Sequence, residues 1–145
     1  MTYADTQAVK ALIQAIPALA TATFVGEAKR PPPNDTQKVL PPYVVLFPAD
    51  GVDTSESLTG PKVITNPEFT GWIVGDSAEQ ANVLLDLLKQ QIYPGGLGVR
   101  VEVDGRDNDR LWFESPTTLQ RDTSVTPPLL YHVFRVGWRS QPSTP

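Results

Sequence analysis

The chain contains no cysteine and a single histidine, His132, among its 145 residues. Without thiols, disulfides, thiolate zinc sites and cysteine nucleophiles are excluded. One imidazole cannot build a histidine-rich metal site, and any histidine-based triad would have to use His132. An excess of positive charge is also missing. Twelve Lys and Arg against 16 Asp and Glu leave a net charge of −4 and a pI near 4.9. Proteins that grip nucleic acid through phosphates carry the opposite balance. Lys29 and Arg30 form only an isolated basic pair. No apolar run approaches the roughly 18 residues of a membrane helix, and the N-terminus lacks a basic-then-apolar signal pattern. The expectation is a soluble protein with no membrane partner, made and used without export.

What is present is a globular composition, with 40% apolar and 19% charged residues. The length favours one domain spanning residues 1–145. The 15 prolines cluster at 31–33, 41–42 and 127–128 and near the C-terminus, where they mark loops and arms. Asp5–Ile16 reads as an amphipathic helix, with Val9, Leu12, Ile13 and Ile16 at helical spacing. Asp5 or Thr6 is placed to cap it, and Pro17 to stop it. A short strand is expected at Thr21–Val25. Gly26–Pro42 reads as an extended, proline-rich arm. Tyr43–Phe47 reads as a strand buried on both faces, Ala49–Pro61 as a polar loop, and Lys62–Val74 as one or two strands interrupted by Pro67.

The stretch "VGDSAEQANVLLDLLKQQIYPGG" joins a strand to a helix at Gly75–Asp76. Such junctions often carry chemistry, but here Ser77 and Gln80 form a capping-box pair, with Asp76 as an alternative cap. Ala81, Leu84, Leu85, Leu88 and Ile92 make one apolar stripe, and Pro94 with Gly95 ends the helix. "GVRVEVDG" alternates Val99, Val101 and Val103 with Arg100, Glu102 and Asp104, predicting a strand with one wet face. "LWFES" is its expected hairpin partner. Pro116–Pro128 reads as irregular, Leu129–Trp138 as the last strand, and 139–145 as a frayed tail. The sum is an α+β fold: a mostly antiparallel or mixed sheet of about five strands, with two helices packed on one face.

Catalytic constellations are weak. His132 lies inside the last strand, where a packed, hydrogen-bonded role outweighs that of a base. "DGRDNDR" (Asp104–Arg110) clusters carboxylates, but an EF-hand needs glycine sixth and glutamate twelfth. Counting from Asp104 those positions hold Asp109 and Ser115; from Asp107, Trp112 and Thr118. Turn chemistry explains the cluster better. "GGLG" (Gly95–Gly98) follows a helix and precedes a strand, the reverse of a phosphate cradle. Asp104, Asp107 or Glu114 near Trp112 leave a carboxylate-based hydrolase open as an alternative, because spacing in space is invisible in sequence. A monomeric binding module is a further one. No catalytic, cofactor-binding or metal-binding residue is assigned.

The order of these stretches resembles the tail terminator (tail completion) proteins of long-tailed, non-contractile phages of the actinobacteriophage type. The likeness runs from about Asp5 to Trp138 and rests on "ALIQAIPALA", "PPYVVLFP", "FTGWIVGDSAEQANVLLDLLKQQI" and "QRDTSVTPPLLYHVFRV". Within the last of these, Arg121, Asp122, Pro127, Pro128 and Tyr131 are most similar to the family pattern. The arm is longer and more proline-rich than that pattern. The resemblance implies a structural virion protein at the head–tail junction, assembled in the host cytoplasm, with no catalytic residues and no cofactor. It implies a hexameric ring that caps the head-proximal end of the tail tube, ends tube polymerisation and joins the head-side connector. DNA would pass through without specific binding. A head-completion or other neck protein is the related alternative. On the ring reading, the arm residues Lys29, Arg30, Pro31, Pro32 and Pro33 are expected to contact a neighbouring subunit, and Asp50, Asp53 and Glu56 to line the channel. The loops Ala49–Pro61 and Asp104–Arg110 are the expected axial contacts.

Overall fold

The computed structural model describes residues 3–26, 41–50, 54–55, 63–123 and 128–143. Helix α1 (Tyr3–Gln14) leads through a 3-10 turn (Pro17–Leu19) into β1 (Thr23–Val25). Strands β2 (Tyr43–Asp50), β3 (Thr54–Ser55), β4 (Val63–Ile64) and β5 (Pro67–Gly75) follow. Helix α2 (Ala78–Ile92) and a second 3-10 turn (Pro94–Gly96) precede β6 (Arg106–Asn108), β7 (Trp112–Glu114), β8 (Gln120–Asp122), β9 (Leu129–Gly137) and β10 (Ser140–Pro142). The main sheet is six-stranded, in the order β1-β2-β5-β9, with β7 and β8 on the far edge of β9. β7 pairs with the Arg135–Gly137 end of β9 and β8 with its Leu129–Tyr131 end. β1 runs parallel to β2 and every other pair in this sheet is antiparallel. The fold is α+β with a mixed sheet, as the pattern of the sequence predicts.

Both helices lie on one face. Val9 and Ile13 of α1 and Leu84, Leu85, Leu88 and Ile92 of α2 pack against Val44, Leu46, Phe69, Ile73, Phe134 and Val136 of the sheet. The predicted α2 stripe is buried at all five positions. β2 is buried on both sides, because its alternate residues Tyr43 and Val45 belong to a second apolar cluster with Val74 and Leu129. Two glycines permit close approaches. The ring of Phe134 lies over Gly71, its cross-strand partner, where a Cβ would collide with it. At Gly75 a Cβ would come within 2.8 Å of the Ala81 backbone nitrogen, so glycine lets α2 start directly above the strand end.

Several boundaries differ from the sequence reading. α1 begins earlier, so Asp5 is a buried residue of its first turn rather than a cap outside it, and Pro17 opens a 3-10 turn after the helix has ended. Gly98–Val103 has the expected sidedness, with Val101 buried and Arg100 and Glu102 exposed, but it is not a strand. Its ladder is limited to one bridge, Arg100 to Arg110, and a bond from the Leu111 N–H to the Val99 carbonyl. "LWFES" pairs with β9 instead of forming a hairpin with it. The stretch Pro116–Pro128 contains β8, and the polar loop after β2 contains β3, paired with β4. The tail expected to fray forms β10 at Ser140–Pro142, antiparallel to β6, with Ser140 fully buried. Short polar strands of this kind have no apolar alternation to reveal them; cross-strand hydrogen bonds hold them.

Candidate functional site

The strand–helix junction is architectural. Ser77 is the N-cap of α2, and its Oγ accepts from the Gln80 N–H at 3.1 Å. Gln80 Oε1 reaches back to accept from the Asp76 N–H at 2.8 Å. Asp76 therefore contributes its backbone donor, and Ser77, not Asp76, caps the helix. These bonds satisfy donors that the first turn leaves without helical partners.

The carboxylates weighed as a hydrolytic set sit in different elements: Asp104 in a turn, Asp107 in the β6–β10 pair and Glu114 in the main sheet. Asp104 precedes Gly105, a turn residue with φ of +78°. Asp107 lies on β6 opposite Gln141, and its carboxylate accepts from the Ser143 hydroxyl at 3.5 Å. Glu114 lies on β7 opposite Arg135 and takes an ion pair from that guanidinium at 2.7 Å. Arg135 also pairs with Glu68 at 3.2 Å and stands 5.7 Å from the Trp112 ring centroid. Between these sheets, Arg106 donates to the Ser140 Oγ and carbonyl, both at 2.9 Å, and to Thr65 Oγ1 at 3.2 Å. Arg106 thus ties β6 to β10 and to the chain before β5. Among the described residues no group of three His, Asp or Glu side chains is gathered as a metal site.

His132 faces α2 from β9. Its Nε2 lies 2.7 Å from Asn82 Oδ1. A carbonyl oxygen can only accept, so Nε2 carries the proton, and the buried Nδ1 has no partner among the described residues. Burial lowers the His132 pKa from its ordinary 6.5; Lys89 adds to the lowering and Asp86 opposes it. Burial thus favours the neutral ring, which serves as a strand-to-helix contact.

What the described surface offers is interaction area. On the sheet face opposite the helices, an aromatic row crosses three strands: Phe47 and Trp72 have centroids 5.3 Å apart, Trp72 and Tyr131 5.4 Å. Phe24 and Tyr43 continue it towards β1 at 6.3 Å. Sequence reading missed this face, although Tyr43 and Phe47, four residues apart in "YVVLF", fall on one side of a strand and Trp72 sits in "FTGWIVG". On the helical side, a shallow groove runs between α2 and the first 3-10 turn, lined by Pro17, Ala18, Val83 and Leu87. Val83 is 51% and Leu87 37% exposed.

Of the residues most similar to the tail-terminator pattern, Arg121 and Asp122 lie on the edge strand β8, Tyr131 in the aromatic row, and Pro128 just before β9. Pro127 lies outside the described residues, as do Lys29, Arg30, Pro31, Pro32, Pro33, Asp53 and Glu56. Asp50 ends β2, but its side chain is outside the description.

No protein-family model matches the chain, and no curated relative matches it. A solved chain from the virion of a native gene transfer agent particle is similar in fold, with a TM-score of 0.50 and 18% identity. The match covers 95% of this chain and 99% of that one.

Proposed function

We propose that this chain is a structural virion protein that forms a hexameric ring on the head-proximal end of a phage tail tube, ends tube polymerisation and joins the tail to the head-side connector. The observation that carries this reading is the end-to-end fold likeness to a chain of a gene transfer agent virion. The order of motifs resembling tail terminators supports it. So does the use of Arg106, Arg135, Glu68 and Glu114 in contacts that hold strands together. A head-to-tail contact that closes on rotation makes a ring and leaves no lateral edge for growth. Its two axial faces differ, so one can match the tube protein and the other the connector.

The exposed apolar groove of α2 is the proposed lateral contact, because Val83 and Leu87 lose water there when a neighbour covers them. Asp50, Asp53 and Glu56 are proposed to face the channel through which DNA passes. The same fold likeness to a virion chain is equally compatible with a neck or head-completion protein.

Light scattering at rising concentration, with imaging on purified tail tubes, tests the ring. The expected result is about six chain masses and a cap at one tube end. Leu87→Lys should abolish the assembly while the circular dichroism of the subunit is unchanged. A subunit that stays monomeric both free and in the presence of tubes overturns the proposal. Rings that bind a portal assembly and ignore tubes select the neck reading.

A further inference from the structure

We infer that the turn after α2, Tyr93–Leu97, enters the α2 groove of a second copy of this chain, so that subunits join head to tail along this helix. This contact rests on the ring reading and specifies which surface of the neighbour fills the groove. Among the described residues, exposed large apolar side chains gather at two places on α2. Val83 and Leu87 line the groove, and Tyr93 and Leu97 flank the turn that ends the helix. Leu97 is 61% exposed, more than either groove residue, and belongs to neither apolar cluster. The turn stands clear of its own subunit. Gly95 and Gly96 have φ of +63° and +83°, and a Cβ on either would meet nothing within 4 Å. These left-handed residues fix the shape of the turn, while its apolar side chains stay in water. A groove and a projection that both give up apolar surface to water suit one another.

Charge selects the same pairing. The groove's mouth, at the start of α2, holds the exposed residues Asp76 and Glu79, and no basic residue lines it among the described residues. At the base of the turn, Arg100 and Arg110 are opposed in an isolated antiparallel bridge. Directly opposed residues put their side chains on the same side, where like charges destabilise the pair. Both arginines are exposed, and Arg110 donates to the Gly98 carbonyl at 3.0 Å, next to Leu97. Neither has a carboxylate partner among the described residues, although Glu102 lies close by in the chain. The Asp76 and Glu79 carboxylates of a neighbouring copy supply the missing countercharge when the turn enters its groove.

The two surfaces lie towards opposite ends of one helix. From Val83 to Ile92 the axis advances roughly 14 Å at 1.5 Å per residue. A contact between two different surfaces leaves each joined subunit with one site still open, so it repeats until rotation closes it. The α2 helices then follow one another around the assembly, the C-terminal end of one dipole facing the N-terminal end of the next.

The chain has no cysteine of its own, so introduced thiols report cleanly. A disulfide spans at most about 7 Å between Cα atoms, so Val83→Cys and Leu97→Cys in one chain are too far apart to close on themselves. Mild oxidation of this double variant, free and on tail tubes, is expected to give a ladder of crosslinked species rising from two chains to about six. A product that stops at two chains marks a two-fold pair and overturns the inference. So does an absence of interchain crosslinks in protein whose light scattering shows a ring. Leu97→Asp changes only an exposed position and should leave a folded subunit, by circular dichroism, that no longer assembles. Rings formed by Leu97→Asp overturn the inference and leave the ring reading standing, whereas a wild-type chain that stays monomeric both free and on tubes overturns both. Glu79→Arg and Arg100→Glu should each raise the concentration needed for assembly several-fold, and the two in one chain should bring it back towards the wild-type value. A combined variant no better than either single one overturns the assigned charge pairing.

Discussion

Gly71 and Phe134 face each other across the two central strands, and the phenyl ring occupies the space a side chain on Gly71 would take. Gly71→Ala therefore overpacks the centre of the sheet. A loss of about 1–3 kcal/mol is expected, read as a lower denaturant midpoint; a loss below about 0.5 kcal/mol would mean the ring moves aside freely. His132 adds a pH dependence. Its pKa in the folded chain is lowered, chiefly by burial, so the folded state binds the proton less well than the unfolded one. Stability is therefore full above the ordinary value of 6.5 and declines as pH falls from there through the lowered folded value. Protonation at Nδ1 would place charge where no acceptor waits among the described residues. His132→Leu should flatten the decline between pH 7 and 5 in urea titrations, and an unchanged slope would assign the acid sensitivity to other groups. Neither feature could be read from sequence, because a glycine in a strand does not announce the ring above it and a lone histidine does not announce its partner on a helix.

Elements with a periodic apolar pattern were legible; those held by polar bonds were not. The α2 stripe, the doubly buried β2 and the long strands β5 and β9 follow from spacing alone, because burying one face of each is what holds it. Leu88 lies at the centre of that stripe and is fully buried. Leu88→Ala should cost about 2–5 kcal/mol in denaturant unfolding, and a much smaller loss would mean α2 is not seated as described. The segment Gly98–Val103 alternated like a strand because Val101 faces the core, yet the Arg106 clamp and the pairing of β6 with β10 draw the following residues elsewhere. β8 and β10 are three-residue polar edges whose order comes from β9 and β6, and nothing within them records the partner. The candidate surfaces were half legible for the same reason. The carboxylates of "DGRDNDR" and "LWFES" could be enumerated, but only the register sends Glu114 to Arg135 and Asp107 to Gln141.

At the scale of the whole molecule, charge decides how an assembled ring would treat DNA. Each chain carries −4, and a ring multiplies that deficit. Of the 12 basic side chains, several arginines are already committed to protein acceptors. Arg106 is bonded to Ser140 and Thr65, Arg110 to the Gly98 carbonyl, and Arg135 to Glu68 and Glu114. Part of each guanidinium's donor set is thereby already taken up by protein acceptors. Binding to DNA is driven by counterion release from clustered Lys and Arg, and it rises steeply as salt is lowered. A channel through which a genome passes works best with no such cluster on its wall, since like charge keeps the duplex away from the protein. The ring should therefore show no salt-sensitive affinity for duplex DNA in the micromolar range, even at low ionic strength. Fluorescence anisotropy of a labelled duplex, titrated with assembled ring at about 20 mM and 150 mM salt, measures this. Micromolar binding that weakens sharply between the two salts would mean that cations from several subunits converge on the axis, and would reverse the proposed placement of Asp50, Asp53 and Glu56 at the channel wall.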